Sequence, residues 1–257
     1  MNGSEPPLIA FREVDVSFGE HLVLGKLSFT VRRGEIVCVV GPSGCGKTTA
    51  LRVASGLIRP TRGDVAFAGA PIRGPRRDVA IVFQDYSKAL LPWRTAAGNV
   101  ALALEAMGTR RAERPDRVAG LLKRVGLAAF ADKYPSQMSG GMQQRLQIAR
   151  CLAQEPAALM MDEPFGALDA MTRQTLQDEM LEIAQSTGAT IFFVTHDLEE
   201  AIYLGDRVVG LLPRPGRIGI DLAISLPRPR HQLFTREDPE FLRLRRVLFD
   251  FIRATEA

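Results

Sequence analysis

The chain has 257 residues, 46% of them hydrophobic and 24% charged, with a formal net charge of +4; it can bury a substantial core, and the modest positive balance permits anionic partners without demanding nucleic acid. The apolar runs are strand length, far short of the roughly 20 residues that cross a bilayer, and the start MNGSEPPL lacks a basic-then-apolar export signal, so neither a membrane span nor secretion by that route is expected. Cys38, Cys45 and Cys151 have neither metal-ligand spacing nor an even count for a disulfide framework, which fits a reducing compartment.

In chain order, residues 8 to 40 read as short strands (LIAFREVDVSF, LSFTVRRG, EIVCVV). The last strand runs into GPSGCGKTT, that is Gly41, Pro42, Ser43, Gly44, Cys45, Gly46, Lys47, Thr48 and Thr49, followed by a helical pattern containing Ala50, Leu51, Val53 and Ala54. This fits G-x-x-x-x-G-K-[ST] between a strand and a helix, the context in which that motif cradles phosphates. The glycines let the backbone approach the β- and γ-phosphates, the helix start turns its positive end toward them, Lys47 neutralises phosphate oxygens, and Thr48 offers a hydroxyl to magnesium. Cys45, inside the cradle, is expected to be open to alkylation.

Two more strands follow, DVAFAG and DVAIVFQ, separated by a turn-rich stretch, and between 94 and 155 the pattern turns helical. Strands return as AALMM, TIFFVT and RVVGLL, with helices near 169–187 and 197–204. The order predicts an α/β fold: a mostly parallel sheet with helices on its faces, a small antiparallel sheet beside it, and a helical insertion over about 86–155 within a single domain. Asp162 and Glu163 end the apolar strand LMMDEP at its carboxyl end, where ligands of open α/β sheets bind. Asp162 is expected to hold magnesium and Glu163 to act as base or orienter for an attacking water. Gln84 and His196, at the ends of DVAIVFQ and TIFFVTH, are read as catalytic sensors of the terminal phosphate, with Gln84 joining Thr48 and Asp162 around the metal. His21 and His231 are read as structural.

A second glycine-rich loop, MSGGMQQR from Met138 to Arg145, opens a separate helix with its own free backbone donors. The ordered set Phe18, GPSGCGKTT, Gln84, SGGMQQR, LMMDEP, ALD (Ala167 to Asp169) and His196 resembles the ATP-binding-cassette ATPases over nearly the whole chain. The resemblance implies ATP and Mg2+ as ligands and Phe18 as the adenine-stacking aromatic. It also implies a head-to-tail dimer in which Ser139, Gly140 and Gly141 of one copy cap the γ-phosphate held by Lys47 of the other, with Asp169 coupling the two sites. Met138, Met142 and Phe18 depart from the commoner Leu, Gln and Tyr of that family, while the phosphate-contacting Ser and Gly are intact.

The segment DYSKALLPWRTAAGNVALAL (Asp85 to Leu104), with SGGMQQR and LPRPR (Leu226 to Arg230), looks like the ATPase subunits of nitrate, sulfonate and taurine importers. In that frame the partners are a second ATPase subunit, forming a homodimer, a transmembrane permease, and indirectly an external solute-binding protein; no nucleic acid is expected. The chain would sit peripherally on the cytoplasmic face of the inner membrane. Trp93, flanked by Leu91 and Pro92, suits a partner-binding hot spot; the alternative is a ring that caps its own helical segment. Pro239 to Arg253 reads as an amphipathic helix with Phe241, Leu244, Leu248 and Phe251 on one side, packed on its own domain; the alternative is contact of this basic helix with an anionic lipid surface. Rival readings are the ATPase of an exporter or lipid-extraction system, a non-transport ATPase of the same superfamily, and a module that binds ATP without cleaving it. The LLPWRT segment, the absence of a long coiled-coil insertion or a second cassette, and intact Glu163 and His196 weigh against them in turn.

Overall fold

The computed structural model describes residues 6–85, 89–166 and 168–256. In chain order they form β1 (Ile9–Phe18), β2 (His21–Val31), β3 (Ile36–Val40), α1 (Lys47–Ala54), β4 (Arg62–Phe67), β5 (Ala70–Pro71), β6 (Val79–Val82), α2 (Ala96–Ala106) and α3 (Arg114–Arg124). Then follow α4 (Gly140–Leu152), β7 (Ala158–Asp162), α5 (Ala170–Thr187), β8 (Thr190–Val194), α6 (Leu198–Leu204), β9 (Arg207–Leu212), β10 (Arg217–Ala223), α7 (Phe234–Glu237) and α8 (Pro239–Glu256). They group into two compact units: residues up to Arg76 together with those from Gly188 onward, and Arg77–Thr187.

In the first unit, every residue of β3 and β8 is buried, as expected of parallel strands covered on both faces. β3 pairs in parallel with β8 on one side and β9 on the other, and β10 adds antiparallel to β9. β10 was not read from the sequence, although Ile218, Ile220 and Leu222 alternate with period two along it; its pairing leaves one side of the strand open. A separate antiparallel sheet runs in the order β2, β1, β4, β5. Its inner face meets β8 through Phe11, stacked on Phe29 at 4.5 Å, with Phe192 at 6.3 and 6.1 Å from the two rings. The apolar side of α8 packs on this unit as expected: Phe241, Leu244 and Leu248 are buried. The Phe251 ring lies so close to β9 and β10 that a Cβ added at Gly210 or Gly219 would come within 2.5 Å of it. Those two glycines let the helix approach the strands.

In the second unit, β6 and β7 pair in parallel. The helical stretch read over 94–155 resolves into α2, α3 and α4, joined in part by two short 3-10 turns, Ala128–Phe130 and Pro135–Gln137. Val100 and Leu104 of α2, Leu122 of α3 and Leu146 of α4 are buried. Among the described residues, no helix is long and apolar enough to cross a membrane.

Candidate functional site

The phosphate loop belongs to the first unit. Gly46 is the N-cap of α1 with φ 98°, and having no side chain it leaves the helix start uncapped. The three glycines do different work. A Cβ at Gly41 would lie 2.7 Å from the Cys45 sulfur and 2.8 Å from the Leu211 carbonyl, and one at Gly46 would lie 2.5 Å from Leu24. Only at Gly44, φ 76°, would it meet nothing within 4 Å, so this is the glycine that faces open space. Pro42 is half-buried and Ser43 exposed, while Thr48 and Thr49 lie half-buried in the first turn of α1. The Lys47 amine donates to the carbonyls of Gly41 (2.8 Å) and Pro42 (3.1 Å). Lys47 is only 7% exposed and forms no ion pair among the described residues. A buried ammonium with carbonyls but no counter-charge, at a helix start that no side chain caps, is suited to receive an anion. The loop therefore fits a triphosphate. Cys45 does not fit the expectation of alkylation: its side chain is buried and burial pushes its thiol pKa up, against the opposing charge of Lys47.

The acids lie in the second unit. Asp162 is the last residue of β7 and Glu163 follows it with φ 45°, a left-handed conformation that a non-glycine residue adopts at a cost of about 1–3 kcal/mol and that clusters at functional sites. Gln84 does not close its strand, nor does His196: β6 ends at Val82 and β8 at Val194, so each residue sits two positions further on, exposed in the loop beyond. Nor is Phe83 interior, since its ring is exposed. The Gln84 amide nitrogen nonetheless reaches the Glu163 carboxylate at 3.5 Å. Asp169 accepts from the Thr172 amide at 3.0 Å, a bond that lowers its carboxyl pKa, so in this chain it caps the start of α5. Ala167 lies outside the described residues, as do Tyr86, Ser87 and Lys88.

The signature turn is shaped by its own helix. Ser139 is the N-cap of α4; its hydroxyl accepts from the Met142 amide at 3.3 Å and keeps its own proton to donate. The Gln143 side chain reaches back to the carbonyls of Pro135 (3.0 Å) and Met138 (3.1 Å), fixing the chain that leads into Ser139. The amides of Gly140 and Gly141 have no hydrogen-bond partner among the described residues. A Cβ at Gly141 would fall 2.6 Å from the Thr172 methyl, so glycine here lets α4 approach α5.

His196 stands between a buried strand and a capped helix. The Asp197 side chain accepts from the amides of Glu199 (3.0 Å) and Glu200 (3.1 Å), and its own amide bonds the Thr195 hydroxyl. The other end of α6 is held by LPRPR. Arg230 donates to the carbonyls of Ile202, Tyr203 and Gly205, the latter two at 2.6 and 2.8 Å, and Arg228 pairs with Asp206 at 2.7 Å. Burial first, then the neighbouring Arg228, lowers the Arg230 pKa to about 10. The sequence marked LPRPR as a family feature; its physical work is to terminate the helix that starts beside His196.

Phe18 ends β1 and is 54% exposed, which removes strand packing as the reason for an aromatic there. Trp93 is 71% exposed on the turn before α2. That turn is fixed from beneath by Asn99, fully buried and missed in the sequence because a polar residue inside AAGNV shows no periodic signal. Its side-chain oxygen accepts from the Leu91 amide (2.9 Å), and its nitrogen faces the carbonyls of Leu91, Arg94 and Thr95 at 3.0–3.1 Å. Gln147 of α4 was missed for the same reason. It is 3% exposed, and with its amide oriented to satisfy both groups it accepts from the Phe83 N–H at 2.7 Å and donates to the Phe83 carbonyl at 3.2 Å.

The family model described as ABC transporter matches residues 24–166, which include the phosphate loop, the signature turn and both strand-end acids. The chain belongs to the ABC transporter family. Three relatives agree with this membership. An uncharacterized ABC transporter ATP-binding protein of Methanocaldococcus jannaschii is 48% identical, over 90% of this chain and 84% of its own length. The aliphatic sulfonates import ATP-binding protein SsuB 2 of Burkholderia cenocepacia is 44% identical over 96% and 88%, and the bicarbonate transport ATP-binding protein CmpD of Synechocystis sp. is 44% identical over 91% and 83%. Among solved structures, the dimeric post-hydrolysis state of the ATP-binding cassette MJ0796 bound to ADP and Pi is similar with a TM-score of 0.72 and 31% identity, covering 84% of this chain and 98% of that one. This ABC protein therefore has the fold of a P-loop ATPase and is an ATP-binding enzyme that hydrolyses ATP.

Proposed function

We propose that the chain is the ATP-hydrolysing subunit of an importer, energising uptake of a small anionic solute of the nitrate, sulfonate or bicarbonate kind through a separate permease fed by an external solute-binding protein. The single observation that carries the site reading is the buried, counter-ion-free Lys47 ammonium at the uncapped start of α1. Two copies close head to tail as a homodimer, with the Ser139 hydroxyl and the Gly140 and Gly141 amides of one copy directed to the γ-phosphate bound by Lys47 of the other. Phe18 stacks on the adenine. Magnesium, when bound, neutralises charge on the phosphates. The hydroxyl of Thr48, the carboxylate of Asp162 and the amide oxygen of Gln84 are the hard oxygen donors it favours.

Glu163 orients water and takes its proton, and His196 contacts the terminal phosphate. The turn bearing Trp93, within a helical segment inserted in a single ATPase domain, docks the permease, which places the chain on the cytoplasmic face of the inner membrane. Glu163→Gln tests the chemistry: ATP binding persists, the ATP-bound dimer is stabilised, and turnover falls about 10²-fold or more through loss of the positioned base. Unaltered turnover refutes the role. Co-expression with the permease tests the assignment as an importer subunit, by asking which solute-loaded receptor stimulates hydrolysis.

A further inference from the structure

The geometry points to Gln147 as a positioning residue for Gln84, tying the catalytic loop to the helix that begins at the signature serine. This rests on the reading above that Gln84 and Glu163 serve hydrolysis. Gln147 lies eight positions after Ser139 on α4, about 12 Å along the helix at 1.5 Å per residue. Its amide engages both the N–H and the carbonyl of Phe83, the residue immediately before Gln84. A buried amide in an otherwise apolar stretch costs stability unless its hydrogen bonds are made, and here they are made to both backbone groups of one residue, Phe83. The two bonds hold the peptides on either side of the Phe83 Cα and so set the direction in which the chain enters Gln84, whose side chain then meets Glu163 at 3.5 Å.

Neighbouring side chains of the same helix hold the loop on both flanks. The Cys151 thiol donates to the Ile81 carbonyl at 3.4 Å, and Arg150 donates to the Ala89 carbonyl. With both flanks held, removing the Gln147 amide frees the Phe83 peptide without releasing the loop. A movement of the Ser139 turn on closing against a second copy is thereby carried along α4 to Gln84 through a pair of hydrogen bonds rather than through apolar contact, which would let the loop slide.

The test uses the full chain and Gln147→Met, which keeps volume and loses both bonds. Amide hydrogen exchange at Phe83, measured without nucleotide, is expected to speed up about tenfold or more, since its acceptor is gone. The kcat is expected to fall about threefold to tenfold with KM for ATP within about twofold, as a small misplacement of a catalytic group does. In a Gln84→Ala background the same substitution changes kcat by less than about twofold, because the group it positions is absent. Gln147→Glu, which keeps the acceptor for the Phe83 amide, retains its protection and recovers part of kcat; it also serves if the methionine variant does not fold. Faster exchange with unchanged kcat, or an equal loss of kcat in the Gln84→Ala background, overturns the inference. A Gln84→Ala enzyme working at full rate overturns the role of Gln84 and the inference with it. A full-rate Gln147→Met beside a slow Gln84→Ala overturns the inference alone.

Discussion

Asn99→Ala should unfasten the turn that presents Trp93, and the size of the effect follows from the bonds. The Asn99 oxygen accepts one hydrogen bond, from the Leu91 amide. Its nitrogen faces three carbonyls but carries only two hydrogens, so two full bonds are counted there. Three net hydrogen bonds at about 1 kcal/mol each give a loss of about 3 kcal/mol. Alanine cannot replace them, and the Leu91 N–H and the inward-facing carbonyls are left to find water. For a chain of this size, that corresponds to a fall in melting temperature of roughly 6–12 °C. Trp93 is the only tryptophan, so its fluorescence reports this turn without further labelling. The variant is expected to show lower emission anisotropy at 20 °C and a lower urea midpoint. A loss under about 1 kcal/mol together with unchanged Trp93 anisotropy would refute the reasoning, since three bonds to a buried amide cannot be absent at so little cost.

Other substitutions test separate parts of the site. Lys47→Met removes the buried ammonium and is expected to weaken ATP binding about tenfold to a hundredfold, the worth of one charge-assisted contact, as titration calorimetry would read; unchanged affinity rejects its phosphate role. Trp93→Ala leaves the basal hydrolysis of the isolated subunit as it is but abolishes stimulation by the permease, with a loss of about 2 kcal/mol or more in the affinity of the two subunits; equal affinity excludes the turn as a hot spot. Gln144 is fully buried in α4, and its side-chain nitrogen and oxygen have no hydrogen-bond partner among the described residues. Gln144→Met, close in shape and without the polar atoms, is therefore expected to raise unfolding stability by about 1–3 kcal/mol in urea titrations, and a loss of stability contradicts that account.

The phosphate loop and the acids at the end of β7 were legible in the sequence because each is a local arrangement: a strand, a turn and a helix start place their own polar groups, and the residues that do so are neighbours in the chain. The same holds for Ser139, an N-cap whose helix follows directly. Gln84 and His196 were read as closing their strands, but the strands stop two residues earlier. Where a strand stops is decided by the partner's hydrogen bonds rather than by hydrophobic pattern.

What the chain alone determined, then, is which backbone donors and side chains can face a nucleotide, since loop spacing and residue type suffice for that. The tertiary structure decided how those groups are held. Asn99 meets Leu91, Gln147 meets Phe83, and Arg230 meets the end of α6, across 8, 64 and 25 to 28 positions of sequence. Gly41 and Gly46 proved to be packing glycines for the same reason: the atoms that exclude a Cβ there include Leu211 and Leu24, brought near only by the sheet. A buried polar side chain is stable only opposite its partner, and which partner that is depends on how distant segments pack, something no local pattern encodes.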